Sequence, residues 1–132
     1  NALPVFEVTQ SDSDGNDIEN TLDGKMDTRW SVEGTEKYAW GIYDLGEVKV
    51  LDAVLIAYYN GDKRASTFSI EVSEDGENYT RVIDNKASSG KTIELESYPL
   101  NGVRARYVKY LGGGNTSNMW NSITEIVFTE KK

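Results

Sequence analysis

No cysteine and no histidine occur in this chain. Without cysteine there are no disulfides and no thiolate metal sites. That leaves the compartment open, since many secreted bacterial proteins also lack cysteine. Without histidine there is no His-dependent catalytic triad, no His-ligated zinc and no ordinary general base near neutral pH. Positive charge is scarce as well: 14 Lys and Arg stand against 22 Asp and Glu, a net charge of −8. Such a balance argues against nonspecific nucleic-acid binding and against anionic membrane surfaces. No run of about 18 apolar residues exists to form a helical membrane span. The N-terminal "NALPVFEV" has no basic segment followed by an apolar stretch. The expectation is a single domain over 1–132, excised from a longer chain or already processed.

What is present reads as β-structure. The 132 residues are 38% hydrophobic and 11% aromatic, enough for a real core without staples. "TFSIEVS" alternates, with Phe68, Ile70 and Val72 on one face, as a half-buried strand does. "SEDGENYTRVID" turns at Asp75-Gly76 and returns through Tyr79 to Ile83, completing a hairpin. Val50 to Tyr59 is apolar on both alternating faces and reads as a central strand. "WGIYDLG", "KTIELES", "ARYVKYL" and "SITEIVFTE" supply four more strands. Seven or eight short strands at this spacing predict an antiparallel β-sandwich or barrel. The segment 9–39 is long and poor in strands, and a loop of that length is usually functional or metal-stabilised.

Within it, residues 12–27 carry Asp12, Asp14, Asp17, Glu19, Asp23 and Asp27 against the single base Lys25. Carboxylates this close repel one another unless something positive relieves them. The candidates are solvent with Arg29, a shared proton, or a metal ion. An EF-hand fails on spacing: counted from Asp12, the sixth residue is Asp17 rather than Gly, and the twelfth is Asp23 rather than Glu. Asp23-Gly24 suits a tight turn with inward carbonyls, and Thr28 offers a carbonyl and a hydroxyl. Oxygen donors alone fit calcium or sodium rather than zinc.

Five stretches in order, "NTLDGKMDTRW", "WGIYDLG", "FSIEVSEDGENYTRV", "ARYVKY" and "NTSNMWNSITEI", resemble the discoidin or coagulation factor 5/8 C-terminal-type domain. Within that superfamily they are most similar to the family 32 carbohydrate-binding modules. The resemblance spans roughly residues 5–129. It implies an eight-stranded jelly-roll β-sandwich of the galactose-binding-domain kind. It also implies a structural calcium ion, held by the carbonyls of Asn20 and Lys25, the Asp23 side chain, the carbonyl and hydroxyl of Thr28, the Thr124 carbonyl and the Glu125 carboxylate. Asp27 is left facing solvent or Arg29.

In sugar-binding relatives the ligand sits on loops beside the metal. The matching positions are Ser31, the loop of Tyr59, Asn60, Lys63 and Arg64, and the Gly-rich loop bearing Asn115, Asn118, Asn121 and Trp120. Galactose-binding members often have His where this chain has Ser31, and Arg near Tyr59, where this chain instead offers Lys63 and Arg64. These departures point away from simple galactose. Arg pairs with carboxylates in a bidentate manner, amides match sugar hydroxyls, and an aromatic face stacks on a pyranose. "NTLDG…TRWS", "NGDKR" and "GNTSNMWNSITE" also resemble modules attached to alginate lyases, which favours alginate or another uronate polymer. Blander roles stand beside these. Trp30 and Trp40 read as core residues, Arg64 could neutralise Asp62 or another carboxylate, and Arg104 or Arg106 should form a structural ion pair.

The leading expectation is a secreted or cell-surface bacterial module. It would be noncatalytic and monomeric, and would hold a covalently linked polysaccharide-degrading enzyme on its substrate. Neutral galactose-type binding and a protein- or lipid-binding adhesion role are the alternatives. Loop tips of Gly, Asn, Asp and Lys speak against lipid. Glycosidase catalysis would need two carboxylates across a cleft, and nothing in the spacing singles out a pair. A lyase would need a Tyr base, which the eight tyrosines leave open only weakly.

Overall fold

A computed structural model describes residues 2–132. Seven strands and one short 3-10 helix follow in the order β1 (Glu7–Gln10), the helix (Ile18–Leu22), β2 (Trp30–Glu33), β3 (Trp40–Tyr58), β4 (Ser66–Ser73), β5 (Thr80–Ala87), β6 (Glu96–Asn115) and β7 (Trp120–Glu130). All pairings are antiparallel, and the hydrogen-bonded order is β2-β7-β3-β6-β4-β5, with β1 on β3. No helix among the described residues is long and apolar enough to cross a membrane.

The two longest strands make this a sandwich. Residues 41–44 of β3 pair with β1 and residues 40–44 with Tyr107–Leu111 of β6, whereas residues 53–58 pair with β7 and residues 53–56 also with Glu96–Pro99. Between these halves the β3–β6 register shifts from Asp44 to Lys49, where Gly46 takes φ +86° and Phe6 lies 3.3 Å from where a Cβ would sit. The bulge bends the strand out of one layer and into the other. Aromatic side chains that are not register partners then meet in the core. The rings of Tyr43 and Phe128 lie 5.2 Å apart, and Phe68 meets Tyr98 at 5.0 Å and Tyr110 at 5.5 Å. Each such pair adds roughly 0.5–1.5 kcal/mol beyond burial. Trp30, Ile56, Ile70 and Ile123 complete a core that solvent does not reach.

The all-β antiparallel expectation holds, and the hairpin is β4–β5. Its turn is set by Asp75, whose Oδ1 accepts from the Glu77 and Asn78 backbone N–H groups at 2.9 Å each. Several boundaries need correction. "WGIYDLG" and the Val50–Tyr59 run are one bent strand rather than two, while β1 and β2 lie outside the stretches that read as strands. The seven strands among the described residues lie within the seven or eight expected from spacing and are one fewer than the resemblance implies. "KTIELES" is largely loop, and its Ile93 and Leu95 lie exposed. The segment 9–39 contains β2, the 3-10 helix and the end of β1. Trp30 is fully buried, but Trp40 is only half-buried, with Lys109 Nζ 5.3 Å from its ring centre.

Candidate carbohydrate-binding site

Two features sit next to each other: an oxygen-rich loop and a cleft. The loop follows the 3-10 helix. Asp23 closes that helix, and its carboxylate accepts from the Lys25 backbone N–H at 2.9 Å and from the Thr28 hydroxyl. The Thr28 bond holds the Asp23 carboxyl below its ordinary range. Gly24, at φ +73°, donates its N–H to Glu125 Oε1 at 2.8 Å. Glu125 is 8% exposed. Burial, reinforced by the Asp23 charge, pushes its carboxyl up to about 7. Thr124 donates its hydroxyl to the Ala57 carbonyl at 3.0 Å. The Asn20 amide donates to the Arg29 carbonyl at 2.9 Å.

Asp23, Thr28 and Glu125 are thus brought together from opposite ends of the chain. Their donors are all oxygen, two of them carboxylates, and this set fits a hard cation. Among the described residues no three acidic side chains converge as a metal cluster. Any ion here would therefore depend on carbonyls as well. Asp27 is exposed and, among the described residues, forms no ion pair with Arg29.

The cleft is built on the pairing of β2 with β7. Trp30 opposes Ile123 and both enter the core. Side chains alternate along a strand, so the next pair, Ser31 and Ser122, points the other way, and Glu33 with Trp120 follows on that same outer face. Tyr59 is fastened beside them by its backbone N–H to the Ser122 carbonyl at 3.0 Å. The turn after β3 brings Arg64 over this face. It is laced to the Gly-rich loop by Thr116 N–H to the Ala65 carbonyl (2.9 Å) and Ala65 N–H to the Thr116 hydroxyl (3.2 Å). On the other side, Asp14 N–H donates to the Ser31 carbonyl at 2.9 Å. The result is a cleft of about 210 Å³ lined by Asp14, Arg29, Ser31, Tyr59, Arg64, Asn118, Trp120 and Ser122.

Of the sugar-site expectations, Ser31, Tyr59, Arg64, Asn118 and Trp120 come together in this cleft. Asn60, Lys63 and Asn115 do not line it. Asn60 adopts φ +54°, and its carbonyl accepts from the Lys63 and Arg64 N–H groups, so it shapes the turn. Lys63 is exposed on that turn. Asn115 is spent on its own loop: Oδ1 accepts from the Ser117 and Asn118 N–H groups, and the amide donates to the Trp120 carbonyl at 2.8 Å. Asn121 faces inward, accepting from Gly114 N–H at 2.8 Å and donating to the Gly34 carbonyl at 2.8 Å. Arg64 forms no ion pair with Asp62 or any other carboxylate among the described residues. Arg106 does pair, with Asp44, at 2.9 and 3.1 Å. Asp14, Arg29 and Ser122 were not foreseen. The available signal was register: Arg29 and Ser31 flank a core tryptophan and so point away from the core.

This is the geometry of a β-sandwich binding module: a shallow polar cleft with an aromatic wall, mounted on rigid strands. The F5/8 type C domain family model matches residues 7–126, and the chain belongs to that family as a carbohydrate-binding module of the family 32 type. It is similar to the family 32 module of AlyQ, whose structure is a complex with 4,5-unsaturated mannuronic acid. Identity is 43%, 99% of each chain is covered, and the TM-score is 0.93. A pectin-binding carbohydrate-binding module matches at 27% identity over 98% of this chain and 94% of that one, with a TM-score of 0.91. The polysaccharide lyase 8 family protein HylA of Enterococcus faecalis (strain ATCC 700802 / V583) is 33% identical over 92 residues. That match takes in 70% of this chain and only 6% of HylA. The chain likewise spans 34% of a truncated AlyQ that also contains the alginate lyase domain.

Proposed function

We propose that this module binds uronate units of an acidic polysaccharide such as alginate, and so holds a covalently linked, secreted polysaccharide-degrading enzyme on its substrate. Tethering of this kind raises the local substrate concentration without chemistry in the module itself. The observation that carries the reading is Arg64. It is an arginine without a carboxylate partner among the described residues, facing the same cleft as Trp120 and the Asn118 amide. A guanidinium fork pairs with a carboxylate, the indole face receives the sugar ring, and amide and hydroxyl groups meet ring hydroxyls. The similarity to a module seen with 4,5-unsaturated mannuronic acid supports the same ligand class.

A structural calcium ion completes this reading. Asp23, Thr28 and Glu125 would hold it, with the carbonyls of Asn20, Lys25 and Thr124. The ion would tie the loop after the 3-10 helix to β7 and so steady Arg29, which adjoins that loop. Its contribution is to stability and positioning. Affinity-gel electrophoresis of the chain through alginate, pectin and galactan, with Arg64→Ala and Trp120→Ala beside it, tests the proposal. Retardation by alginate that both variants lose is the expected result. Retardation by galactan alone would reject it.

A further inference from the structure

Five arginines occur in the chain. Arg81, Arg104 and Arg106 pair with carboxylates, whereas Arg29 and Arg64 pair with none among the described residues. Both unpaired arginines lie in the same cleft, in a protein with a net charge of −8. Both are gathered on one ring: the guanidinium carbons lie 4.2 Å (Arg29) and 6.0 Å (Arg64) from the Tyr59 centre. Stacking on an aromatic face holds a guanidinium flat while leaving its edge free for hydrogen bonds. In each, Nε is buried with no acceptor. Buried donors are nearly always satisfied, so a paired deficiency in one cleft points to an acceptor supplied from outside.

We infer that Arg29 is a second specificity-determining residue, and that Arg29 and Arg64, clamped on Tyr59, select a ligand carboxylate over its neutral counterpart. This rests on the uronate reading above. Asp14 gives the clamp a direction. Its carboxylate accepts from the Asn16 backbone N–H and side-chain amide at 3.0 Å each, bonds that hold its carboxyl below the ordinary range and keep it ionised. It lines the cleft without forming an ion pair to Arg29, and so repels a second anionic group while accepting from sugar hydroxyls. A uronate ring therefore enters with its carboxylate toward the two guanidiniums and its hydroxyls toward Asp14, Ser31 and Asn118.

The test is calorimetric titration of the whole chain with a mannuronate trisaccharide and with its carboxyl-reduced counterpart, for wild type, Arg29→Met and Arg29→Gln. Melting temperatures in calcium identify which variants retain the fold. The wild type is expected to favour the acid by on the order of tenfold or more, as a charge-assisted pair implies. A folded Arg29 variant should lose most of that preference, binding the acid about as weakly as it binds the reduced sugar. A folded variant with the wild-type preference overturns the inference and leaves the uronate reading standing. Wild type that binds neither sugar rejects the uronate reading itself, and the clamp with it.

Discussion

The Gly24 backbone N–H donates to Glu125 Oε1 at 2.8 Å, joining positions 101 residues apart. One end is a loop tip and the other a nearly buried carboxylate on β7, so this contact fastens the strand-poor half of the chain to the sheet. It also sets the Asp23 and Glu125 carboxylates beside each other, a repulsion that a cation would convert into attraction.

Chelation should therefore lower the melting temperature. A ligand bound only by the folded state contributes about 2.7 kcal/mol at a hundredfold excess over its Kd. In a domain of this size that corresponds to a shift on the order of 10 °C. Asp23→Ala and Glu125→Ala should abolish most of the calcium dependence in differential scanning fluorimetry. A wild-type melting temperature indifferent to both chelator and added calcium would remove the ion from the account.

Sugar binding should track the cleft and not the loop as a whole. Arg64→Ala and Trp120→Ala should each weaken alginate binding by on the order of tenfold. Lys63→Ala should change it little, since Lys63 does not line the cleft. Raising salt should weaken the wild type more than Arg64→Ala, because screening acts on the charge that the variant lacks. Equal losses for Lys63→Ala and Arg64→Ala would point to a diffuse electrostatic attraction instead.

Asp44 and Arg106 predict an acid-sensitive component of stability. The Asp44 side chain is 10% exposed, and the Arg106 guanidinium holds its carboxyl below the ordinary carboxylate range. A depressed folded-state pKa contributes stability that is present above the unfolded value, near 3.9, and lost as pH falls through the folded value. Asp44→Asn should cost about 1–3 kcal/mol at pH 7. The gap from wild type should close as the pH falls well below about 4. Denaturant titrations at several pH values measure this, and a gap that persists in acid would assign the cost to packing.

Asn121→Ala should be more damaging than its asparagine neighbours. It removes the acceptor for Gly114 N–H and the donor to the Gly34 carbonyl, both at 2.8 Å in a buried setting. Unsatisfied buried groups of this kind cost about 1–3 kcal/mol each. The Gly-rich loop carrying Asn118 and Trp120 would loosen, so sugar affinity should drop along with the melting temperature. Asn118→Ala should reduce affinity with a smaller effect on unfolding.

How much of this could be seen in the sequence depended on the range of the forces involved. The β4–β5 hairpin was legible because alternation and the Asp75-Gly76 turn are local. β2 was not, because Trp30–Glu33 alternates over only four residues inside a long segment rich in turn-forming and acidic residues. "KTIELES" alternates like a strand, yet nothing pairs with it before Glu96. Tyr59, Arg64 and Trp120 were placed in one site by resemblance, while Arg29 and Asp14 were hidden inside a segment read as metal loop. Their part in the cleft arises from the Ser31–Ser122 pairing and from the ring of Tyr59, contacts that no local pattern encodes.

The most direct measurement is an NMR titration of the isotopically labelled chain with a mannuronate oligosaccharide, following the tryptophan indole and arginine Nε–H resonances. The account predicts the largest shifts at Trp120, Arg29 and Arg64, small ones at Trp40, and none at the buried Trp30. Shifts concentrated at Trp40, or no shifts at saturating oligosaccharide, would contradict it.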